Sequence, residues 1–268
     1  MATIKPIHSL AASLLKDVTV PQLLLKGGAS PHSYALKPSD AEMLAAADIV
    51  VRVSKNLEVF LTKPLEMLAV HARVVDLDRS PGLELLPVRE GGQGKPDNID
   101  VHFWLDPLNA IAIAEMLARV LIEADPAHAT AYRSNADRLK ERLAALDERL
   151  RRELARYRNK PFLVFHDVTQ YLEHRYGLSG LGAITISPER APGAQRLARV
   201  REKIVAGAVV CVFAEPEFPP KLVSTLVEGT SARTGVLDEV GASIPEGPDQ
   251  YFDLMEADAK ALADCLGD

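Results

Sequence analysis

The feature that most constrains this chain is one long helical stretch with alternating short segments on either side of it. From about Pro126 to Tyr157, leucines recur every three or four residues at Leu139, Leu143, Leu146, Leu150 and Leu154, with Arg and Glu between them. That spacing predicts a long amphipathic helix with one solvated face. Before it, Thr3–Ile7, Val20–Leu25 and Asp48–Val51 read as strands. His8–Lys16, a segment opening at Ser39 with the S-x-x-E capping-box form, and a segment from about Asn56 to Ala69 read as helices. After it, strands are expected at 162–165, 183–186, 209–214 and 234–237, and helices at 167–174, 193–205, 218–228 and 250–266. Such alternation implies parallel strands in doubly wound sheets, so the fold class is α/β. The expected division is 1–125, a stiff connecting helix over 126–159, and 160–268. A chain of 268 residues suits two such halves of about 120 residues each.

A net charge of −6 argues against nucleic acid or an anionic membrane surface as the main partner. No apolar run reaches the roughly 18 residues of a membrane span. The opening MATIKPIHSL has no basic n-region and no long apolar h-region, so either the chain is cytoplasmic or a signal peptide has been removed. Cys211, in a strand candidate, and Cys265, in the terminal helix, are either a disulfide between sheet and helix or two buried thiols. Residues 78–98, DRSPGLELLPVREGGQGKPDN, read as an irregular surface loop.

Open α/β sheets bind ligands at the carboxyl ends of their strands. His166 directly ends the run PFLVF, and His32 follows the candidate strand 20–25 in the loop GASPHSYALKPSD. His102, in IDVHFWLDP, approaches a helix start near Asp106-Pro107, and His8 ends the first candidate strand. His71, His128 and His174 fall on or beside helices and read as solvent-facing. Three imidazoles with one oxygen donor fill a tetrahedral zinc shell. Asp238, in RTGVLDEVGA, ends its strand run as His166 ends its own, and is the candidate carboxylate. Ligands this far apart carry no local signature, so spacing alone gives the assignment little weight.

The segments GASPHSYALKPSD, VHFWLDP, FHDVTQYLEHRYG, ISPERAPGAQRL, VFAEPEF and TGVLDEVGA together resemble, in order, the landmarks of the zinc-specific solute-binding proteins of bacterial ABC importers (ZnuA-like). The resemblance runs from ATIKPIHSLAASL to ALADCLGD. It implies two α/β lobes bridged by one long rigid helix, with one Zn²⁺ held as transported ligand in a cleft between them. It further implies delivery to a membrane permease by a mature periplasmic protein whose signal peptide has been removed; a monomer is expected. The implied ligands are His32, His102 and His166, with Asp238 as the fourth donor or else water. Some relatives place a Glu just before the first histidine, where this chain has Pro31. The resemblance also implies the Cys211–Cys265 disulfide.

His8 stands where other branches have an apolar or aromatic residue, and is read as a helix-start residue or else an extra ligand or supporting group. Asp167 either orients a ligand imidazole or caps the helix that follows it. Glu215 and Glu217 are read as contacts between lobes or as charge facing the permease, and Trp104 and Tyr34 as packing residues. The 78–98 stretch has none of the histidines that many zinc importers carry in an entrance loop.

A histidine rather than a glutamate at position 166 favours zinc over manganese, the alternative within the same transporter family. From another class, a zinc hydrolase with an open three-histidine site competes. The chain has no HExxH, no G-x-S-x-G and no Gly-rich phosphate loop, so the expectation is a binding protein and not an enzyme. An adhesin or chaperone on the same scaffold is the third reading.

Overall fold

The computed structural model describes residues 1–89, 98–186, 188 and 191–267. The centre of the 78–98 loop and part of ISPERAPGAQRL therefore lie outside the described residues. The chain forms two compact units, each assembled from three separate stretches of sequence.

The first unit comprises Met1–Leu85, Pro107–Asp147 and Val240–Leu254. It contains α1 (Lys5–Leu14), α2 (Pro38–Ala45), β1 (Ile49–Arg52), α3 (Thr62–Leu68), β2 (Arg73–Asp76), α4 (Pro107–Ala124) and the first part of α5 (Ala129–Leu154). β1 and β2 pair in parallel, from Ile49↔Arg73 to Arg52↔Asp76. Ala2 continues the layer through parallel bridges to Val51 and Leu23.

The strands expected at 3–7 and 20–25 are thus reduced to bridges at Ala2 and Leu23. Proline explains the first loss. Pro6 has the fixed φ of a first helical turn and needs no amide partner there, so α1 starts at Lys5 rather than His8. In α2 the carboxylate of Asp40 accepts the amide of Lys37 at 2.8 Å, so the helix starts at Pro38 and Asp40 does the capping expected of Ser39 and Glu42. α3 starts later than expected because Glu58, fully buried, accepts the amides of Val53 and Ser54 at 3.0 Å each and the Thr3 hydroxyl, which holds the preceding residues in a loop. The buried ammonium of Lys5 donates to the carbonyls of Gly241, Ala242 and Ile244 at 2.8–3.0 Å.

The second unit comprises Leu86–Asp106, Glu148–Glu239 and Met255–Asp268. Its elements are β3 (Phe162–Val164), α6 (Gln170–Tyr176), β4 (Gly180–Ala183), α7 (Ala194–Val205), β5 (Cys211–Ala214), α8 (Lys221–Val227), β6 (Arg233–Val236) and the greater part of α9 (Gln250–Leu266). The strands are all parallel, in the order β4-β3-β5-β6.

Period-two alternation gives this sheet two buried faces. Leu163 and Val212 join Val200, Ile204, Val223 and Leu226 of α7 and α8 in one apolar cluster. Phe162, Cys211 and Phe213 point the other way. The two phenylalanine rings meet edge-on at 5.6 Å, and Cys211 is disulfide-bonded to Cys265 of α9. Helices on both faces of a parallel sheet make it doubly wound, as the sequence pattern implies. Gly235 in β6 is required by this packing, because a Cβ there would sit 2.6 Å from the Phe213 ring.

β4 falls at 180–183 instead of 183–186. Gly177, at φ 69°, closes α6 with a left-handed cap and brings the chain back to the sheet within three residues. The long leucine-spaced stretch is α5, flanked by single 3₁₀ turns at Pro126–His128 and Ala155–Tyr157, with all five leucines buried. Among the described residues, no helix is long and apolar enough to cross a membrane.

Candidate metal centre

The parallel order of the second sheet decides which side chains meet. β3, β5 and β6 are neighbours and end at the same edge, so the residues that follow them converge there. These are His166 after β3, Glu215 after β5, and Asp238 with Glu239 after β6. His102 comes from the turn that precedes Phe103–Leu105 and belongs to the same unit. Both imidazoles are buried, His102 at 5% and His166 at 2% exposure.

Each ring is oriented by one carboxylate. Glu215 accepts the His166 amide at 3.0 Å and faces Nδ1 at 2.6 Å. Asp100 accepts the His102 amide at 2.9 Å and faces Nδ1 at 2.8 Å. A carboxylate at Nδ1 fixes the tautomer with its proton on Nδ1 and leaves Nε2 as the basic, metal-binding nitrogen. The two Nε2 atoms face each other at 3.4 Å. Two nitrogens bound to zinc at about 2.05 Å and the tetrahedral angle stand about 3.3–3.4 Å apart. The imidazole pair therefore already has the separation of a tetrahedral zinc edge.

Packing around the pair is rigid. Trp104, fully buried, stands edge-on to His102 at 5.4 Å and donates its Nε1 proton to the Glu239 carbonyl at 2.9 Å. The Tyr171 hydroxyl donates to the Asp100 carbonyl and accepts the Leu86 amide, both at 2.9 Å.

Asp238 groups with Glu217 and Glu239, their carboxylate oxygens within 4.8 Å of one another. Its amide donates to Asp258 at 3.0 Å. His32 belongs to the first unit, in the loop before α2, where it is half-buried and its amide donates to Ser30 Oγ at 3.3 Å. His8 lies inside α1 rather than at a strand end, with Nε2 2.9 Å from the Pro21 carbonyl. His71, His128 and His174 are exposed.

Two expectations change at this site, and two further residues enter it. Asp167 does not cap α6, whose N-cap is Thr169; it forms an ion pair with Arg89. Glu215 is no surface charge but the buried partner of His166. Asp100 and Glu239 were not anticipated at all. The strand-end rule that selects His166 selects Glu215 equally, and Asp100 stands only two residues from His102.

Burial pushes the Glu215 carboxyl up to about 8, and nearby Asp238 adds to the rise. Burial, followed by the charges of Asp238 and Glu215, pushes Glu217 up to about 7. Glu239 and Asp258 are also raised well above the ordinary carboxylate range, chiefly by burial. A carboxyl raised on folding binds more protons in the native than in the unfolded chain, so stability is lost as pH rises through the folded value. The metal-free protein is therefore expected to lose stability between about pH 4.5 and 8, with Glu217 alone contributing on the order of 3 kcal/mol. Thermal melts of chelated protein from pH 6 to 8.5 check this. A Tm that stays level or rises over that range contradicts it, and Glu217→Gln should flatten the fall.

A pair of carboxylate-held imidazoles at the strand ends of a parallel α/β sheet has the arrangement that metal-binding proteins use. The profile described as zinc-uptake complex component A, periplasmic, matches residues 1–265. The chain belongs to this ZnuA family, whose members are components of an uptake complex. It is 40% identical to the high-affinity zinc uptake system protein ZnuA of Brucella abortus, over 99% of this chain and 91% of that one. It is 33% identical to the Yersinia pestis protein of the same name, over 99% and 90%. Among solved structures, a ZnuA deletion mutant with zinc bound has a TM-score of 0.86 at 22% identity, over 100% of this chain and 97% of that one, which shows the same two-lobe α/β fold.

Proposed function

We propose that this protein binds one Zn²⁺ with high affinity in the periplasm and hands it to the membrane permease of an ABC importer. The observation that carries the proposal is the 3.4 Å separation of two Nε2 atoms whose Nδ1 sides are each held by a carboxylate. His32, from the Gly/Ser/Pro-rich loop before α2, supplies the third imidazole, and Asp238 the fourth donor. Three imidazoles and one oxygen suit zinc, a borderline metal that takes four ligands, better than manganese, which prefers more oxygen donors. The zinc uptake role of the Brucella and Yersinia relatives supports the same assignment.

The test is a competitive titration of the chelator-stripped protein with Zn²⁺ and Mn²⁺. One tightly bound zinc that manganese does not displace is expected; manganese preference, or no binding, overturns the proposal. Glu215→Gln should weaken zinc about 10- to 100-fold, the usual effect of losing a carboxylate behind a ligand imidazole. An unchanged dissociation constant in that variant would remove Glu215 from the ligand-orienting role.

A further inference from the structure

At the strand-end edge the fold gathers more negative charge than one zinc ion needs. Asp100 and Glu215 face the Nδ1 atoms of the two imidazoles. Glu217, Asp238 and Glu239 form a further trio, each offering one oxygen within 4.8 Å of the others, and Glu239 stands within the same reach of His166 and Glu215. Glu239 is 1% exposed, and no donor of the described protein hydrogen-bonds to either of its carboxylate oxygens. The same holds for both buried oxygens of Glu217. Among the described residues, no lysine or arginine pairs with either one.

Four buried carboxylate oxygens without a donor are costly unless a cation or protons compensate them. From this geometry we infer a second cation site, made only of oxygens from Glu217, Asp238 and Glu239, that takes a hard divalent ion such as Ca²⁺.

The donors select the ion. Carboxylate oxygens suit a hard cation, and Ca²⁺ accepts irregular oxygen shells, whereas Mg²⁺ demands a near-ideal octahedron. The absence of nitrogen and sulfur donors disfavours zinc here relative to the imidazole site. Asp238 is common to both sites. A carboxylate has two oxygens, so it can serve one ion with each. This second site does not depend on the zinc assignment, because the trio exists whatever the imidazoles bind.

The experiment uses the whole chain, stripped with chelator and loaded with one equivalent of Zn²⁺, and titrates it with Ca²⁺ by calorimetry. One Ca²⁺ per chain is expected to bind without releasing zinc. Glu217→Gln/Glu239→Gln should weaken Ca²⁺ at least ten-fold while still binding one zinc, and Glu217→Gln alone should weaken it measurably if the double variant folds poorly. His102→Ala, tested without zinc, should keep Ca²⁺ binding. The inference is overturned by no Ca²⁺ binding at millimolar concentration, by undiminished binding in the Gln variants, or by loss of Ca²⁺ binding in His102→Ala. Failure of zinc binding in the wild type would overturn the zinc proposal alone.

Discussion

Replacing His102 with alanine is expected to weaken zinc binding by about two to three orders of magnitude while leaving the metal-free fold in place. Structural zinc sites are worth about 10–16 kcal/mol, so an equal share for each of four ligands is roughly 2.5–4 kcal/mol. The local turn should survive because Asp100 also accepts the backbone amide of residue 102 at 2.9 Å, a bond independent of the side chain. Competition against a chelator of known affinity measures the loss, and circular dichroism of the chelated variant checks the fold. A dissociation constant within ten-fold of wild type would mean that His102 is not a ligand. Asp238→Ala should have a smaller effect than His102→Ala, since water can take the place of a carboxylate oxygen.

The second large effect is expected from the disulfide. Cys211 and Cys265 close a loop with a sequence separation of 54 residues and fasten α9 to the β5 side of the sheet. In the chain-entropy account, a loop of that length is worth about 4 kcal/mol, and measured losses for native disulfides run from about 2 to 5. Cys211→Ala/Cys265→Ala is expected to lower unfolding stability by that amount in urea titrations. Loss of the α9 contact matters because Asp258, on the same helix, accepts the amide of Asp238. The double variant should therefore also bind zinc less tightly. A loss of less than about 1 kcal/mol would show that packing around Phe213 holds the helix without the bond.

Much of the second sheet is legible in the sequence, because runs such as PFLVF and VVCVFA have no competing helical reading and are bounded by turn residues. The first unit is harder to read. Its first two strands contribute only the Ala2 and Leu23 bridges, and Pro6 turns an apolar run that resembles a strand into a helix start. β2 escapes notice because Arg73–Asp76 is only four residues long, with two of them exposed.

At the centre, His102 and His166 are found from position and motif. Their carboxylate partners are not, since pairing Glu215 with His166 requires knowing that β3 and β5 are adjacent although β4 lies between them in sequence. Glu239 is hidden by Asp238, its neighbour and the more familiar ligand candidate. Sequence shows that acid is present there, but burial without a donor is a property of the folded chain.

The three-stretch composition of each unit sets the order in which the protein can be made. Residues 240–254 belong to the first unit and residues beyond Met255 to the second, so neither core is complete until α9 has been synthesised. The Lys5 ammonium waits for carbonyls more than 230 residues downstream, and Cys211 for a partner near the end of the chain. Contacts of such long range form late and slow folding. A nascent chain of this design stays unfinished throughout translation, so both cores and the Cys211–Cys265 bond are completed together, after the last helix is made.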